Sequence, residues 1–344
     1  MQVILAQPRG FCAGVVRAIK IVDQALESYG HHVYVLHEIV HNRQVVENLR
    51  DQGALFVESL EEVPVGAVTI FSAHGVSTAV VKEAEKRHLR VIDATCPLVT
   101  RVHLQAQEFS QQGFDVIIIG HPGHPEVEGT RGRVEGPVHV LSRSAEVAHL
   151  QVLHPDRLAY VTQTTLSMDD TLEVIETLKN RFHIQGPDLS NICYATQTRQ
   201  NSVRRLAKII DVLLVVGARN SSNSNRLREV GEQSGVLAYL IEDAEDLSAA
   251  WFSENTRVGI TAGASAPEEI VQKVLKRLCT YYPCTVGEMA SEPEPTHFAA
   301  CHLWAFEESE SKNGCALRSK ISDRTVCVSP EALGNPKISP GLDA

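Results

Sequence analysis

Three cysteines lie where an apolar, strand-like run gives way to a helical pattern. Cys12 stands between two glycines after the apolar run 3–6, and Cys96 and Cys193 occupy equivalent places after similar runs. The cysteines are 84 and 97 residues apart, which is about one α/β unit each. α/β proteins place their chemistry at such strand-to-helix junctions. The pattern therefore predicts three similar modules, each of which brings one cysteine to a shared centre.

The alternation of strand-like and helical runs predicts an α/β fold with parallel sheets and crossover helices. We expect three similar α/β domains, each with one of the three cysteines, at residues 1–95, 96–192 and 193–281. Residues 282–344 contain scattered Pro, Gly and Ser and a run of acidic residues without a period. That composition predicts a divergent, poorly ordered C-terminal tail.

The charge and the cysteine content bear on partners and compartment. A net charge of −10 argues against a nucleic-acid-binding protein, which needs a basic face. No apolar run has transmembrane length and no signal-peptide pattern is visible, so we expect a cytoplasmic protein without membrane contact. In a reducing compartment the eight cysteines are more typical of metal ligands or free thiols than of disulfides. Cys301, Cys315 and Cys327 lack tight ligand spacing and are interpreted as bystanders.

The three junction cysteines favour a metal centre. A single buried cysteine is often only a small apolar residue, but three in equivalent positions argue for a common role. Three thiolates suit an iron–sulfur cluster with one iron lacking a protein ligand, or a zinc ion with one open position. A helix N-terminus also stabilises a thiolate. The residues by themselves leave both metals open.

Three histidines follow predicted strands in loops that Gly or Pro neighbours brace. His41, His74 and His124 are therefore predicted to converge at one sheet edge and to function there, although they could also complete a Cys/His zinc site. Glu126 adjoins the last of them and is a candidate proton donor, with a solvated loop carboxylate as the alternative. Other histidines lack such loops and are interpreted as surface or N-cap residues: His31, His32, His88, His103, His149, His154 and His183.

Hydroxyl and amide side chains open two predicted helices. Ser221, Ser222 and Asn223 follow a buried strand, and Ser265 repeats the arrangement. Hydroxyls and backbone N–H groups at a helix start can cradle a phosphate, and the same residues also favour helix capping. Thr164 follows another strand, where its hydroxyl could orient Glu126 or a substrate.

Seven motifs, in order and spacing, resemble the LytB-type family of 4-hydroxy-3-methylbut-2-enyl diphosphate reductases over about residues 1–280. They are RGFCAG at 9–14, DATCP at 93–97, GHPEVEG at 123–129, TQTTLS at 162–167, ICYAT at 192–196, SSNS at 221–224 and TAGASAP at 261–267. Residues 279–344 depart from the resemblance, because the closing strand of the family is not recognisable there.

The resemblance implies a pseudo-threefold trefoil of three α/β domains around a central 4Fe–4S cluster on Cys12, Cys96 and Cys193. It implies that Glu126 is the proton donor and that Thr164 contacts the substrate. The implied diphosphate pocket consists of His41, His74, His124, Ser221, Ser222, Asn223 and Ser265.

The implied reaction is the last step of the methylerythritol phosphate route to isoprenoids. In that reaction the terminal allylic hydroxyl of the substrate is removed with two electrons and two protons, which yields isopentenyl and dimethylallyl diphosphate. Because no dinucleotide or flavin motif is visible, we expect a ferredoxin or flavodoxin as electron donor.

Two other hypotheses fit three cysteines in an α/β chain. One is a quinolinate synthase-like iron–sulfur enzyme, which the His-Pro-Glu loop does not favour. The other is a metal- or redox-sensing protein, against which the acidic charge and the lack of a basic helix argue.

Overall fold

The structure is a computed structural model that describes residues 1–187, 191–290, 294 and 298. Its strands are β1 Gln2–Leu5, β2 Val33–Leu36, β3 Ala54–Val57, β4 Val68–Phe71, β5 Arg90–Asp93, β6 Asp115–Ile119, β7 Val138–Leu141, β8 Leu158–Thr162, β9 Ile184–Gln185, β10 Val212–Val216, β11 Leu237–Ile241, β12 Arg257–Ala262 and β13 Thr285–Glu288. Its α-helices are α1 Ala13–Tyr29, α2 Arg43–Asp51, α3 Thr78–Lys86, α4 Pro97–Gln111, α5 Pro125–Arg131, α6 Ser144–Val147, α7 Met168–Arg181, α8 Tyr194–Leu206, α9 Ser222–Gln233 and α10 Glu268–Tyr281. None of these described helices is long and apolar enough to cross a membrane.

The strands of the described residues form three sheets of similar size. Their orders are β3-β2-β4-β5, β7-β6-β8-β9 and β11-β10-β12-β1-β13, and the paired strands run parallel. Strands β4, β6 and β10 are buried along their whole length, as expected for parallel strands with helices on both faces. The prediction of an α/β fold with three similar parallel-sheet modules is confirmed.

The first strand does not join the sheet nearest to it along the chain. β1 pairs with β12, from Gln2 opposite Arg257 to Leu5 opposite Ile260. The next element, α1, instead packs on the first sheet, where Ala18 and Val22 share a core with strands β2 and β4. The predicted domain 1–95 therefore includes a strand of the third sheet. An apolar run predicts a strand, but it carries no information about which edge will accept that strand.

The chain also continues in regular structure beyond the last helix. β13 pairs in parallel with β1, with Gln2 opposite Thr285 and Leu5 opposite Glu288. The sequence pattern assigns residues 285–288 to the tail and predicts no closing strand there. That expectation is wrong, because these residues form β13. The strand is short, exposed and contains a glycine, so its pattern is weak and its pairing depends on β1. Cys301, Cys315 and Cys327 lie outside the described residues, and the other predicted domain boundaries stay predictions.

Candidate active site

Each of the three cysteines is the residue at which a helix begins. Cys12 is the N-cap of α1, Cys96 that of α4 and Cys193 that of α8. The unpaired N–H groups and the dipole of a helix start favour negative charge on such a sulfur. Only the Cys193 thiol caps its own helix, because it accepts a hydrogen bond from the Thr196 amide at 3.4 Å. The positions agree with the strand-to-helix junctions that the sequence predicts.

The backbone ties each cysteine to a loop that carries a predicted substrate residue. The N–H groups of the three cysteines donate hydrogen bonds to carbonyls far away along the chain. The Cys12 N–H donates to the Ala264 carbonyl at 3.1 Å. The Cys96 N–H donates to the Ala73 carbonyl at 3.0 Å, and the Cys193 N–H donates to the Thr164 carbonyl at 3.0 Å. Ala264 precedes Ser265, Ala73 precedes His74, and Thr164 is itself a predicted substrate residue. The three sulfur positions and the candidate binding pocket are therefore built on the same loops.

The three thiols converge in a buried space. A Cβ atom placed on Gly14 would lie 2.8 Å from the Cys96 sulfur and 3.8 Å from the Cys12 sulfur, so only glycine leaves room there. Burial, together with the nearby Cys12 and Cys193, raises the pKa of Cys96 to about 12. Burial also raises the pKa of Cys193 to about 11, again with a contribution from Cys12. Thiols crowded in this way are poor anions by themselves and need a bound cation to ionise.

The spacing of the side chains bears on the choice between zinc and a cluster. Within the described part of the chain, no group of three or more His, Cys, Asp or Glu side chains is arranged to hold a single metal ion. A tetrahedral zinc site would require sulfurs within about 4 Å of one another, given Zn–S bonds of about 2.3 Å.

Three histidines meet in one place. The rings of His41 and His74 are stacked with centroids 4.2 Å apart, and the ring of His124 lies edge-on at 5.4 Å from His41 and 5.9 Å from His74. They come from loops after β2, β4 and β6, at the carboxyl ends of strands in two different sheets. The three rings do meet, but the prediction that they share one sheet edge is wrong, because β6 belongs to a different sheet from β2 and β4.

The electrostatics keep two of these rings neutral. Burial, together with the nearby His41 and His121, lowers the pKa of His124 to about 3. Burial also lowers the pKa of His74 well below its ordinary value, with His41 and His124 as further causes. The His124 Nδ1 accepts the N–H of Glu126 at 3.1 Å, which leaves Nε2–H as the donor of the neutral ring. His124 can therefore offer a hydrogen bond without carrying a charge.

His41 has a carboxylate partner that the sequence patterns did not reveal. Its Nδ1 lies 3.0 Å from Glu38 Oε2, and that oxygen also accepts a bond from Asn220 Nδ2 at 3.0 Å. The bond to His41 is the main cause that lowers the pKa of Glu38. The carboxylate orients the ring, so that the buried and unpartnered His41 Nε2 is left for a ligand. Glu38 lies only three residues before His41, but no sequence rule predicts side-chain contacts within a loop of this kind.

Asn223 is the most unusual polar residue of the site. It is 4% exposed, and both its Nδ2 and its Oδ1 lack a hydrogen-bond partner. Burying an amide without partners costs about 1–3 kcal/mol, so such a group indicates a place for a polar ligand. Asn223 lies in the first turn of α9, where the backbone N–H groups also favour an anion.

The predicted serines link the modules. Ser265 Oγ donates to the His41 carbonyl at 2.9 Å, and Ser222 Oγ donates to the Thr165 carbonyl at 3.3 Å. Ser221 caps α9 by accepting the Ser224 N–H at 3.3 Å. Each hydroxyl thus has a structural partner, but only Ser221 caps its helix; the capping interpretation does not hold for Ser265, because Pro267 is the N-cap of α10. The same bonds hold the start of α9 and the Ser265 loop against the histidine and threonine loops.

Glu126 is a buried carboxyl held by one residue. Its Oε1 accepts the Thr164 N–H at 2.6 Å and its Oε2 accepts the Thr164 hydroxyl at 3.0 Å. Glu126 is 3% exposed, and burial raises its pKa from the ordinary 4.5 to about 7 against the opposing effect of these bonds. A carboxyl with such a pKa carries a proton near neutrality and is suited to general acid catalysis. The structure thus favours the proton-donor hypothesis over a solvated loop glutamate.

The interpretation of His103 as a surface or N-cap residue is wrong. This residue of α4 is 4% exposed, and burial lowers its pKa to about 4. It packs under the His74 loop, because a Cβ on Gly75 would lie 2.5 Å from His103 Cε1 and because Gly75 has a φ of +74°. The helical pattern around residue 103 does not distinguish a buried position under a loop from an exposed one.

Comparisons with known proteins agree with this geometry. A family model described as "LytB protein" matches residues 3–279. The chain belongs to the LytB family. A curated LytB relative from Burkholderia pseudomallei, named 4-hydroxy-3-methylbut-2-enyl diphosphate reductase, is 58% identical over 299 residues, which are 87% of this chain and 96% of the relative. A relative of Rhodopseudomonas palustris with the same activity in its name is 55% identical over 295 residues, with 86% and 96% covered.

Solved structures of the LytB family share the fold. The E-1-hydroxy-2-methyl-but-2-enyl-4-diphosphate reductase of Plasmodium falciparum superposes with a TM-score of 0.82 at 37% identity, over 87% of this chain and 95% of that one. A second structure, entitled (E)-4-hydroxy-3-methyl-but-2-enyl diphosphate reductase, the terminal enzyme of the non-mevalonate pathway, gives a TM-score of 0.60 at 35% identity over 81% and 99%. The three-module architecture is therefore that of the LytB reductases.

Proposed function

We propose that this chain catalyses the reductive dehydroxylation of 4-hydroxy-3-methylbut-2-enyl diphosphate to isopentenyl and dimethylallyl diphosphate. The observation that carries the proposal is the convergence of three half-buried thiols whose backbone is bonded to the loops of Ser265, His74 and Thr164, with Thr164 in turn holding Glu126. The names of the close LytB relatives support the same reaction. An anaerobic assay with this diphosphate, dithionite and a viologen mediator tests it, because both products must form and a chain without this activity forms neither.

The proposed cofactor is a 4Fe–4S cluster held by Cys12, Cys96 and Cys193. The three sulfurs fit it, because they are half-buried, come from three helix starts and lie close enough to one another that Cys12 raises the pKa of both Cys96 and Cys193. When bound, a cluster with one iron free of protein ligands supplies single electrons and a Lewis-acidic site. The thiols must stay reduced to bind iron, which suits the cytoplasm as the location. A ferredoxin or flavodoxin is the proposed electron donor.

The diphosphate is proposed to bind where His41, His74, His124 and Asn223 converge. The Nε2–H of a neutral His124 ring and an amide can bind phosphate oxygens without fixed positive charge, and the unpartnered Asn223 amide supports this role. The hydroxyls of Ser221, Ser222 and Ser265 and the start of α9 are the other proposed donors. Holding the diphosphate here positions the allylic hydroxyl toward the thiol centre and Glu126.

Substitution of Asn223 by alanine tests this pocket. We expect the affinity for inorganic diphosphate to fall by about 10- to 100-fold, since hydrogen bonds to a charged ligand are worth about 1.5–3 kcal/mol. The thermal stability of the free protein should not fall, because the buried amide has no partner to lose. Calorimetric titration and a melting curve measure both quantities. Asn201→Ala, at an exposed position of α8, is the matched control, and an unchanged diphosphate affinity of Asn223→Ala would contradict the assignment.

Glu126 is proposed to supply protons to the reaction. The reaction breaks the terminal C–O bond of the substrate, adds two electrons, forms one C–H bond and releases the oxygen as water, so that two protons are consumed. Glu126 is protonated near neutrality and has Thr164 as its hydrogen-bond partner, which is proposed to orient the carboxyl and to contact the substrate. Exclusion of bulk water from this carboxyl means that each proton must pass through a defined group.

The pH dependence of the rate follows from the raised pKa of Glu126. The acid form persists up to about pH 7 and is lost above it. We therefore expect kcat to fall about tenfold per pH unit on the alkaline side, once the pH exceeds that pKa. In Thr164→Val a bond that stabilises the carboxylate is lost, so the alkaline limb should move to higher pH. A limb that stays in place in this variant would show that another group titrates.

A further inference from the structure

Each helix that begins at one of the three cysteines also forms a side-chain hydrogen bond to the loop that precedes another of the cysteines. Arg17 lies in the second turn of α1, the helix that begins after Cys12. Its Nη1 donates to the Thr95 carbonyl at 3.1 Å and to the Ala94 carbonyl at 3.3 Å. These are the two residues ahead of Cys96. The first cysteine helix therefore fixes the loop of the second cysteine.

The same relation holds for the other two cysteine helices. Gln105 of α4 accepts a bond from Asn191 Nδ2 at 2.8 Å, and Asn191 lies two residues ahead of Cys193. Arg199 of α8 contacts the loop ahead of Cys12, which completes a ring of three links. Each link joins residues that are 77 or more apart along the chain. The ring is not visible in the sequence, because its three members differ in type and in offset from their cysteine.

Arg199 is the strongest of the three links. The Gly10 carbonyl accepts from its Nη2 at 2.7 Å and from its Nε at 3.2 Å, and the Phe11 carbonyl accepts from Nη2 at 3.4 Å. Its Nη1 donates to the Ala195 carbonyl at 3.0 Å, two residues after Cys193. One side chain thus connects the backbone beside two of the three proposed cluster ligands. It is 0% exposed and is the largest fully buried side chain among the residues that the structure describes.

A fully buried guanidinium requires a counter-charge, and here it comes from the end of the described chain. Arg199 Nη1 forms an ion pair with Glu294 Oε1, and the Thr198 hydroxyl donates to the same oxygen at 3.2 Å. Glu294 lies beyond β13, in the segment predicted to be a divergent tail. Buried ion pairs add little net stability compared with apolar residues, but they fix geometry and are costly to break on one side. The pair therefore points to a positional role.

We propose that Arg199, balanced by Glu294, is a positioning residue that sets the Cys12 loop for cluster binding. The proposal rests on the proposed function only in assuming that the three thiols bind an iron–sulfur cluster. The planar guanidinium reaches three carbonyls and a carboxylate at once, which a lysine ammonium cannot do. Glu294 in turn offsets a positive charge next to a cluster ligand and thereby lowers the reduction potential of the cluster.

The test compares Arg199→Gln, Arg199→Lys, Glu294→Gln and the double variant Arg199→Gln/Glu294→Gln with the wild-type chain. Arg204→Gln is the matched control on the same helix, because Arg204 pairs with the exposed Asp169. The readouts are hydrogen exchange of a peptide spanning residues 9–16 in the apoprotein, the rate of iron loss to a chelator, and the midpoint potential of the cluster. Iron and sulfide content of the wild-type chain tests the proposed function separately from this inference.

We expect Arg199→Gln and Arg199→Lys to speed up exchange of the 9–16 peptide and to release iron about tenfold faster, while Arg204→Gln behaves as wild type. Glu294→Gln should shift the midpoint potential to a more positive value. The double variant should remain as impaired as Arg199→Gln, since it lacks the bonds to the loop. Recovery of wild-type exchange and iron retention in the double variant would overturn the proposal, because Arg199 would then serve only to neutralise Glu294. Wild-type behaviour of both Arg199 variants would overturn it as well.

Discussion

The Glu126→Gln variant is expected to lose about 10²- to 10⁴-fold in kcat and to keep its cluster and its affinity for diphosphate. Glutamine has the shape of the protonated acid, and its amide oxygen can still accept the Thr164 N–H that lies 2.6 Å from the carboxyl oxygen. The amide cannot release a proton, so the chemical step should slow while binding stays intact. Anaerobic steady-state kinetics, the visible absorbance of the cluster and a calorimetric titration with diphosphate measure the three quantities.

The same variant has a stability readout that does not depend on turnover. In the folded protein Glu126 holds its proton up to about pH 7, whereas the ordinary pKa is 4.5. The folded state therefore binds more protons between these values, and the free energy of unfolding declines as the pH rises through this window. At pH 8 the ionised carboxyl costs about 3 kcal/mol, which glutamine removes. The apoprotein of Glu126→Gln should consequently melt higher than the wild-type apoprotein at pH 8.

Glu135→Gln, at an exposed position, is the control for the Glu126 substitution. It should change neither kcat nor the melting curve. Unchanged turnover of Glu126→Gln, with Glu135→Gln also normal, would remove Glu126 from the proton path. A fall in kcat together with loss of the cluster absorbance would instead assign a structural role to the carboxyl.

Single serine substitutions of Cys12, Cys96 or Cys193 should abolish activity and remove essentially all of the bound iron. The three sulfurs come from three separate helix starts, so each loop supplies one ligand and the loss of any cysteine leaves its loop without one. The hydroxyl is a poor replacement because thiolates are the preferred ligands of iron–sulfur clusters. Iron and sulfide analysis after anaerobic purification, with electron paramagnetic resonance of the reduced sample, measures the effect.

Cys279 and Cys284 provide matched controls. Both are half-buried free cysteines, at the end of α10 and just before β13. Their serine variants should retain iron, sulfide and activity. If all three junction variants kept a full complement of iron, or if Cys279→Ser lost it, the proposed ligand set would be wrong.

Local signals identified much of the candidate site. The glycines around Cys12, the His-Pro-Glu loop and the polar start of α9 each lie where a strand ends and a helix begins, and that position can be read from a short window. The rule that parallel strands present their carboxyl ends at one sheet edge brings His41 and His74 together, but it does not cover His124, which follows a strand of another sheet. The roles of the cysteines, of Glu126 and of the diphosphate donors stay proposals that the experiments above decide.

Other features had no local signal. The helical pattern around His103 does not reveal that this residue lies beneath the Gly75 turn. Arg199 looks like an ordinary helix residue until the Gly10 carbonyl, 189 residues away, is placed beside it. Glu38 Oε2 is the hydrogen-bond partner of both His41 and Asn220, although Asn220 is 182 residues away from Glu38. Each of these depends on which loops face one another in space.

The sequence by itself determined the α/β class, the three modules and the positions of the sulfur-bearing helix starts, because apolar periodicity and helix caps act over a few turns of chain. The tertiary structure decided that β1 joins β12 and β13 rather than the first sheet. It also decided which helix holds which cysteine loop. These choices depend on contacts between residues far apart in the chain. Such contacts contribute free energy only when whole modules pack together, so no short stretch of sequence predicts them.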